Sequence, residues 1–242
     1  MFACSRCEAT TSARFDRCPS CGAYSSCAKT KGKRRKTLRL SDVAPDDRRR
    51  MLVRKDWDSV LGGPGERGVL EGTLIFVVGK GGAGKTTDLL DIADRHGKAQ
   101  RRPCAYASSE REIPSLSAQA RKAGISGAGI LPVRVRTMSE VIAFVEEHQP
   151  SGLVLDSWSN LEGPPNPADL DRLRSALGLS PAWIIHHVTK AEEMAGSSKL
   201  AHKADAIVWM LARRLRVAKN WHGPNGITVP RVLPKFKRPK KR

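Results

Sequence analysis

The chain holds 242 residues, 40% of them hydrophobic and 28% charged, with a formal net charge of +19. That length supports one globular domain with a sizeable core and a small appendage, and the apolar content excludes a wholly disordered chain. No stretch reaches the roughly 18 apolar residues of a membrane helix, so a membrane partner is not expected.

The amino-terminal segment has Cys4, Arg6, Cys7 and Glu8 where a secretory signal needs apolar residues, which predicts a cytoplasmic protein. Cysteines in that reducing compartment are poor disulfide candidates. Cys4-x2-Cys7, ten intervening residues and then Cys18-Pro-Ser-Cys21-Gly instead form two knuckles. Each knuckle brings two thiolates to one side of a tight turn, and together they make a tetrahedral four-sulfur site suited to zinc. A closed set of four ligands makes that zinc structural. Cys27 lies outside the pattern, and Cys104 reads as a small buried hydrophobe in a strand. Residues 1–28 are thus expected to be a zinc ribbon.

A basic linker follows over residues 29–50. From Lys29 to Lys55 there are 12 basic and 3 acidic residues, and from Leu211 to Arg242 there are 11 basic and none acidic. The remainder is nearly neutral. Two basic segments on a neutral body suit a polyanion, because each cation set against a phosphate releases counterions. Nucleic acid is the expected partner.

From residue 51 to 234, short apolar runs alternate with helical patterns, as in a mostly parallel α/β sheet flanked by helices. Strands are predicted at 73–79, 103–108, 130–135, 152–156, 182–188 and 204–211. Helices are predicted at 85–96, 115–123, 139–148 and 168–177. Edge strands are expected at 214–219 and 226–233, and residues 235–242 form a basic carboxy-terminal tail.

The sequence Gly79-Lys80-Gly81-Gly82-Ala83-Gly84-Lys85-Thr86 satisfies the spacing of a phosphate loop and follows an apolar strand. Glycines let backbone amides turn inward around phosphate oxygens, and the next helix adds the positive end of its dipole. Residues 79–86 and Thr87 are therefore the expected ATP-binding segment. Lys85 is the candidate for the β and γ phosphates, and Thr86 for magnesium. Asp156 ends the strand Leu153-Val154-Leu155 and would emerge at the carboxyl edge as a second magnesium ligand. Glu110 follows another strand and could act as general base on the attacking water. His186 and His187 finish a strand, where a structural or sensing role is favoured over metal binding.

Read in order, these blocks resemble the RadA (Sms) DNA-repair ATPases of the RecA-like superfamily. The cysteine motif through Ala23 and Tyr24 looks like that family's zinc motif. Asp56-Trp-Asp-Ser-Val-Leu-Gly-Gly63 looks like the lead-in to its first strand. Tyr106-Ala-Ser-Ser-Glu-Arg-Glu112 is similar to its catalytic-glutamate block, and Gln119-x-Arg-Lys-Ala123 to the helix that follows. His187-Val-Thr-Lys190 with Ala195, Gly196, Leu200, His202 and Asp205 resembles its sensor region and DNA-facing loop. Lys219-Asn-Trp-His-Gly223 stands where the family carries Lys-Asn-Arg-Phe-Gly.

The resemblance implies a RecA-like P-loop ATPase with ATP, Mg2+ and Zn2+ as cofactors, hydrolysing ATP in DNA-stimulated fashion to remodel or migrate single-stranded or branched DNA. It further implies a homo-oligomer with ATP between subunits, Lys219 reaching a neighbour's phosphate, Lys190, Lys199 and Lys203 near DNA, and a recombinase as a candidate partner. The family's Lon-protease-like carboxy-terminal domain has no counterpart here, so a short form is expected and ring assembly stays open. Trp221 and His222 replace the family's Arg and Phe. Two alternatives stay beside this reading. One is a zinc-ribbon DNA adaptor whose nucleotide site is a switch with little turnover. The other is a ParA-like partition ATPase, suggested by Lys80 within the loop.

Overall fold

The computed structural model describes residues 2–4, 10–11, 17–18, 27–29, 47–63, 65–163, 166–188 and 198–233. The chain divides into two compact units, Met1–Asp47 and Arg48–Arg242. In the first, β1 (Phe2–Cys4) pairs antiparallel with β2 (Thr10–Thr11) on one side and β3 (Cys27–Lys29) on the other. Cys4 and Cys18 are both buried. Cys7 and Cys21, the other two expected zinc ligands, lie outside the described residues, as do most of the basic linker and the tail from 234 to 242.

The second unit opens with a two-stranded ribbon, β4 (Arg50–Met51) against β5 (Val69–Leu70), with α1 (Lys55–Leu61) between them in sequence. Then come β6 (Leu74–Gly79), α2 (Lys85–Gln100), β7 (Cys104–Ser108), α3 (Ile113–Lys122), β8 (Ile130–Arg134) and α4 (Met138–His148). They are followed by β9 (Leu153–Asp156), a 3-10 turn at Trp158–Asn160, α5 (Pro167–Leu177), β10 (Ala182–His187) and α6 (Ser198–Lys203). β11 (Ala206–Met210), β12 (Arg214–Asn220) and β13 (Thr228–Pro230) complete the unit.

The main sheet has eight strands in the order β13-β12-β11-β6-β10-β9-β7-β8. The run from β11 to β8 is parallel, and β12 and β13 add antiparallel at one edge. The core is thus a mostly parallel sheet with helices on both faces. A strand covered on both faces needs apolar residues at every position, and β6 is buried throughout. Its alternate residues enter two different cores. Ile75 and Val77 join Leu89, Ile92, Leu116, Trp57 and Trp183 on one face, while Leu74, Phe76 and Val78 join Val141, Val145, Leu170 and Leu173 on the other. Strand β12, next to the edge strand β13, alternates instead, with Leu215 and Val217 buried and Arg214 and Arg216 exposed.

Helix ends follow local chemistry. Thr137 caps α4 by accepting from the Glu140 amide at 3.2 Å, and Asn166 caps α5 ahead of Pro167, whose missing N–H is not needed at that position. Helix α2 runs past its expected end, continuing four residues beyond His96. Gly97 does not stop the helix. It sits where a Cβ would run into the Gly129 carbonyl and the Cys104 amide, so its smallness serves close packing. Cys104 is fully buried in β7, which pushes its thiol pKa far up, in keeping with an inert hydrophobe. Among the described residues no helix is long and apolar enough to cross a membrane.

Candidate functional site

Parallel strands bring their carboxyl ends to one edge, so the segments after β6 and β7 and the ends of β9 and β10 meet there. They enclose a cavity of about 290 Å3 lined by Lys85, Thr86, Glu110, Gln119, Asp156 and His187, among others. Glycine conformations shape its floor: Gly82 and Gly84 have φ of 76° and 84°, a region that side-chain-bearing residues rarely adopt. A Cβ at Gly81 or Gly82 would meet nothing within 4 Å, so the loop faces open space there.

Lys85 begins α2 and is only 6% exposed. Its Nζ donates to the Gly79 carbonyl at 2.6 Å and the Lys80 carbonyl at 3.0 Å, folded onto the loop it follows. Burial lowers its pKa, with Asp156 and Glu110 opposing that shift. The Thr86 hydroxyl donates to Asp156 Oδ2 at 2.9 Å, and the Tyr106 phenol donates to the same oxygen at 2.9 Å. The other oxygen, Oδ1, is buried with no hydrogen-bond partner. Burial raises the Asp156 pKa, and the Tyr106 and Thr86 hydrogen bonds only partly offset it. A buried carboxylate with one oxygen unmatched, beside a threonine hydroxyl, fits a hard divalent cation such as Mg2+, which takes oxygen ligands. The open glycine loop, the lysine and the helix start fit the polyphosphate of ATP.

Glu110 is exposed at the cavity mouth, and its Oε2 lies 3.7 Å from His187 Nε2. Next to it, Arg111 donates to Gln119 Oε1 at 3.1 Å, and Gln119 Nε2 donates to Thr87 Oγ1 at 2.7 Å, tying α3 to the start of α2. His186 is turned away into the core, where its ring meets Phe76 edge-on and burial lowers its pKa. The two histidines thus have different surroundings, one buried beside Phe76 and Ser159 and one facing the cavity.

The structure brings Gly81, Gly82, Gly84, Lys85, Thr86, Thr87, Glu110 and Asp156 together around one cavity, with Gly79, Lys80 and Ala83 completing the same loop. Lys219 is not among them. Its position in β12 stands level with Ile207, which is level with Phe76, on the amino side of the sheet. There its Nζ donates to the carbonyls of Ala201, His202 and Ala204 at the end of α6 and lies 4.4 Å from the Trp221 ring. Lys203 is paired with Asp171 at 2.6 Å. Lys190 and the side chain of Lys199 lie outside the described residues.

Sequence reasoning missed Tyr106 as the second donor to Asp156, although its place two residues before the strand end on a neighbouring strand carries the signal. It also missed Arg231. That guanidinium reaches the phosphate loop from 148 residues away, donating to Ala83 O at 2.6 Å and Gly84 O at 3.2 Å. No local pattern announces such a contact.

Comparison with known proteins finds similar sequences and a similar fold. The chain is 25% identical over 260 residues to the DNA repair protein RadA of Aquifex aeolicus, covering 93% of this chain and 56% of that protein. It is 24% identical over 258 residues to the DNA repair protein RadA of Bacillus subtilis, with 92% and 55% coverage, and 27% identical over 208 residues to that of Escherichia coli, with 78% and 44%. The chain spans about half the length of the curated relatives it matches. Among solved structures, the flagellar accessory protein FlaH from Methanocaldococcus jannaschii superposes with a TM-score of 0.57 at 15% identity, over 78% of this chain and 98% of that one, a likeness of fold alone. No family model matches the chain.

Proposed function

We propose that the chain is a DNA-associated ATPase that hydrolyses ATP to remodel or migrate single-stranded or branched DNA. The observation that carries this reading is the meeting of Lys85, Thr86, Asp156 and Glu110 around a single cavity at the carboxyl edge. Bound there, MgATP would supply a γ-phosphoryl group for transfer to water, with ADP as the leaving group and the cation spreading the developing charge. The chain does the rest. Residues 79–87 cradle the phosphates through backbone amides, and Lys85 exchanges its loop carbonyls for phosphate oxygens. Thr86 and Asp156 hold the cation, with Tyr106 keeping the carboxylate oriented. Glu110 accepts a proton from the attacking water.

DNA as partner is supported by the basic segments around 29–55 and 211–242 and by the name its relatives share, DNA repair protein RadA. Zinc bound by Cys4, Cys7, Cys18 and Cys21 is proposed to build the first unit, a cytoplasmic homo-oligomer is the proposed working form, and a recombinase is a proposed further partner. Lys219, remote from its own cavity, is proposed to reach a neighbouring copy's nucleotide in such an assembly. Its engagement with the end of α6 also supports a second reading, a DNA-bound nucleotide switch with little turnover. Measuring ATP turnover with and without single-stranded DNA decides between them. The ATPase reading expects DNA-raised turnover that vanishes in Lys85→Ala and Glu110→Gln; nucleotide binding with negligible turnover in the wild type would sink it and leave the switch.

A further inference from the structure

Beneath the phosphate loop lies a cluster of buried charges that the proposed chemistry leaves without a role. Asp88, on the first turn of α2, is fully buried, and the Arg231 side chain beside it is 3% exposed. Their closest approach is 3.4 Å, from Arg231 Nε to Asp88 Oδ1. Arg54 Nη2 holds both Asp88 oxygens at 2.9 Å, and the Trp57 indole donates to Oδ2 at 3.0 Å. The same Arg54 donates to Asp56 at 2.8 Å and Asp91 at 3.0 Å. Burying this many charges is unfavourable unless each is paired and hydrogen-bonded, so their arrangement needs a reason.

That reason is visible in where Arg231 aims. Its Nε has no hydrogen-bond partner despite burial, whereas its two terminal nitrogens donate to the carbonyls of Ala83 and Gly84. In a planar trans peptide the carbonyl and the following N–H point opposite ways. Drawing the Ala83 and Gly84 carbonyls back toward Arg231 therefore turns the amides of Gly84 and Lys85 away from it, and both residues line the cavity. The segment bearing Arg231 is pinned on either side. Its own amide donates to Arg213 O at 2.9 Å, and the Val232 amide donates to Asp56 Oδ2 at 2.8 Å.

We propose that Arg231 is a positioning residue for the nucleotide site: its guanidinium, anchored by Asp88, fixes the last two peptides of the phosphate loop so that their amides face the anion. Asp88 serves as the counter-charge that lets this cation sit under the loop, and Arg54 and Trp57 orient Asp88. The inference rests on the ATPase reading and adds to it a residue outside the cavity lining.

The test compares MgATP binding by titration calorimetry for the full chain, Arg231→Met, Arg231→Lys and Val217→Ala. Val217 is a core residue of the same hairpin, paired with Val208 in the sheet and outside the cavity lining, so it reports what loss of stability alone does. Losing two hydrogen bonds from a charged donor should raise the Kd of Arg231→Met about 10- to 100-fold, with Arg231→Lys between it and the wild type. Val217→Ala should bind as the wild type does. Binding by both Arg231 variants within about twofold of wild type, or equal weakening in Val217→Ala, would overturn the positioning role while leaving the ATPase reading intact. A wild type that fails to bind MgATP overturns both.

Discussion

Thr86 and Asp156, 70 residues apart in sequence, meet at 2.9 Å where the helix after the phosphate loop passes the end of a strand two places away in the sheet. The contact uses one carboxylate oxygen, shared with Tyr106, and leaves the other buried without a partner. Such a group is held in place against its own solvation preference, as expected where function needs a charge that folding does not.

Asp156→Asn should therefore separate stability from activity. Because the folded-state pKa of Asp156 is raised above its ordinary value of 3.8, the folded state holds the proton more tightly than the unfolded state. The wild type should accordingly lose stability as pH rises from about 3.8 through the folded pKa, and keep that loss at neutral pH. Asparagine removes the charge and the slope. Nucleotide-free thermal melts across this range should show the variant more stable at pH 7 by about 1 kcal/mol, or roughly 2–4 °C, with Mg2+-dependent turnover lost. A variant less stable than wild type at neutral pH would contradict the account.

Glu110→Gln and Lys85→Ala should fail differently. The glutamine cannot take a proton, so kcat should drop about 10²- to 10⁴-fold while MgATP affinity stays near wild type. Removing the Lys85 ammonium deletes charge-assisted hydrogen bonds to phosphate and should weaken binding about 100-fold. Paired kinetic and calorimetric measurements check this; equal loss of binding in both variants would remove Glu110 from the chemistry.

The cysteine motif makes a quantitative claim. Metal analysis of the purified chain should find one zinc per chain, falling to near zero in Cys18→Ser. Without zinc, the unit Met1–Asp47 should become sensitive to protease while Arg48–Arg242 resists, because so small a unit depends on its metal for folding. Sub-stoichiometric zinc in protein prepared without chelator would count against the four-sulfur site.

Much of the parallel sheet is legible in the sequence because strands covered on both faces are continuous apolar runs, and Leu74–Val78, Leu153–Leu155 and Ala182–Ile185 are all of this kind. The phosphate loop is legible because its chemistry is local. Two helices are not. Helix α1 carries Asp56 and Asp58 on buried positions, against the usual pattern, since Asp56 pairs with Arg54 and Asp58 Oδ1 accepts from the Val53 amide. Helix α6 is only six residues long. Arg231 and Asp88 read as surface charges by composition alone. Only the edge hairpin, which returns the chain to the phosphate loop, turns them into partners.

DNA binding should be electrostatic and shared by the basic segments. Affinity for single-stranded DNA should fall steeply with salt, and removing Lys235–Arg242, which carries six cations, should flatten the slope of log K against log salt by up to about 4. Low aromatic content, 5% of residues, gives little scope for extensive base stacking. A salt-independent affinity, or a tail-less chain with an unchanged slope, would refute this division of labour.

The reach of Arg231 across 148 residues to Ala83 has a consequence for how the protein is made. At ribosomal rates of roughly 5–20 residues per second, the loop sequence precedes its guanidinium brace by about 7 to 30 s. During that interval Asp88 has only Arg54 and Trp57 to neutralise and orient it, and the carbonyls of Ala83 and Gly84 face no partner from the hairpin. If the proposed brace shapes the site, nascent chains should hold an incomplete phosphate loop until the last strands of the sheet emerge, and should bind ATP more weakly until then.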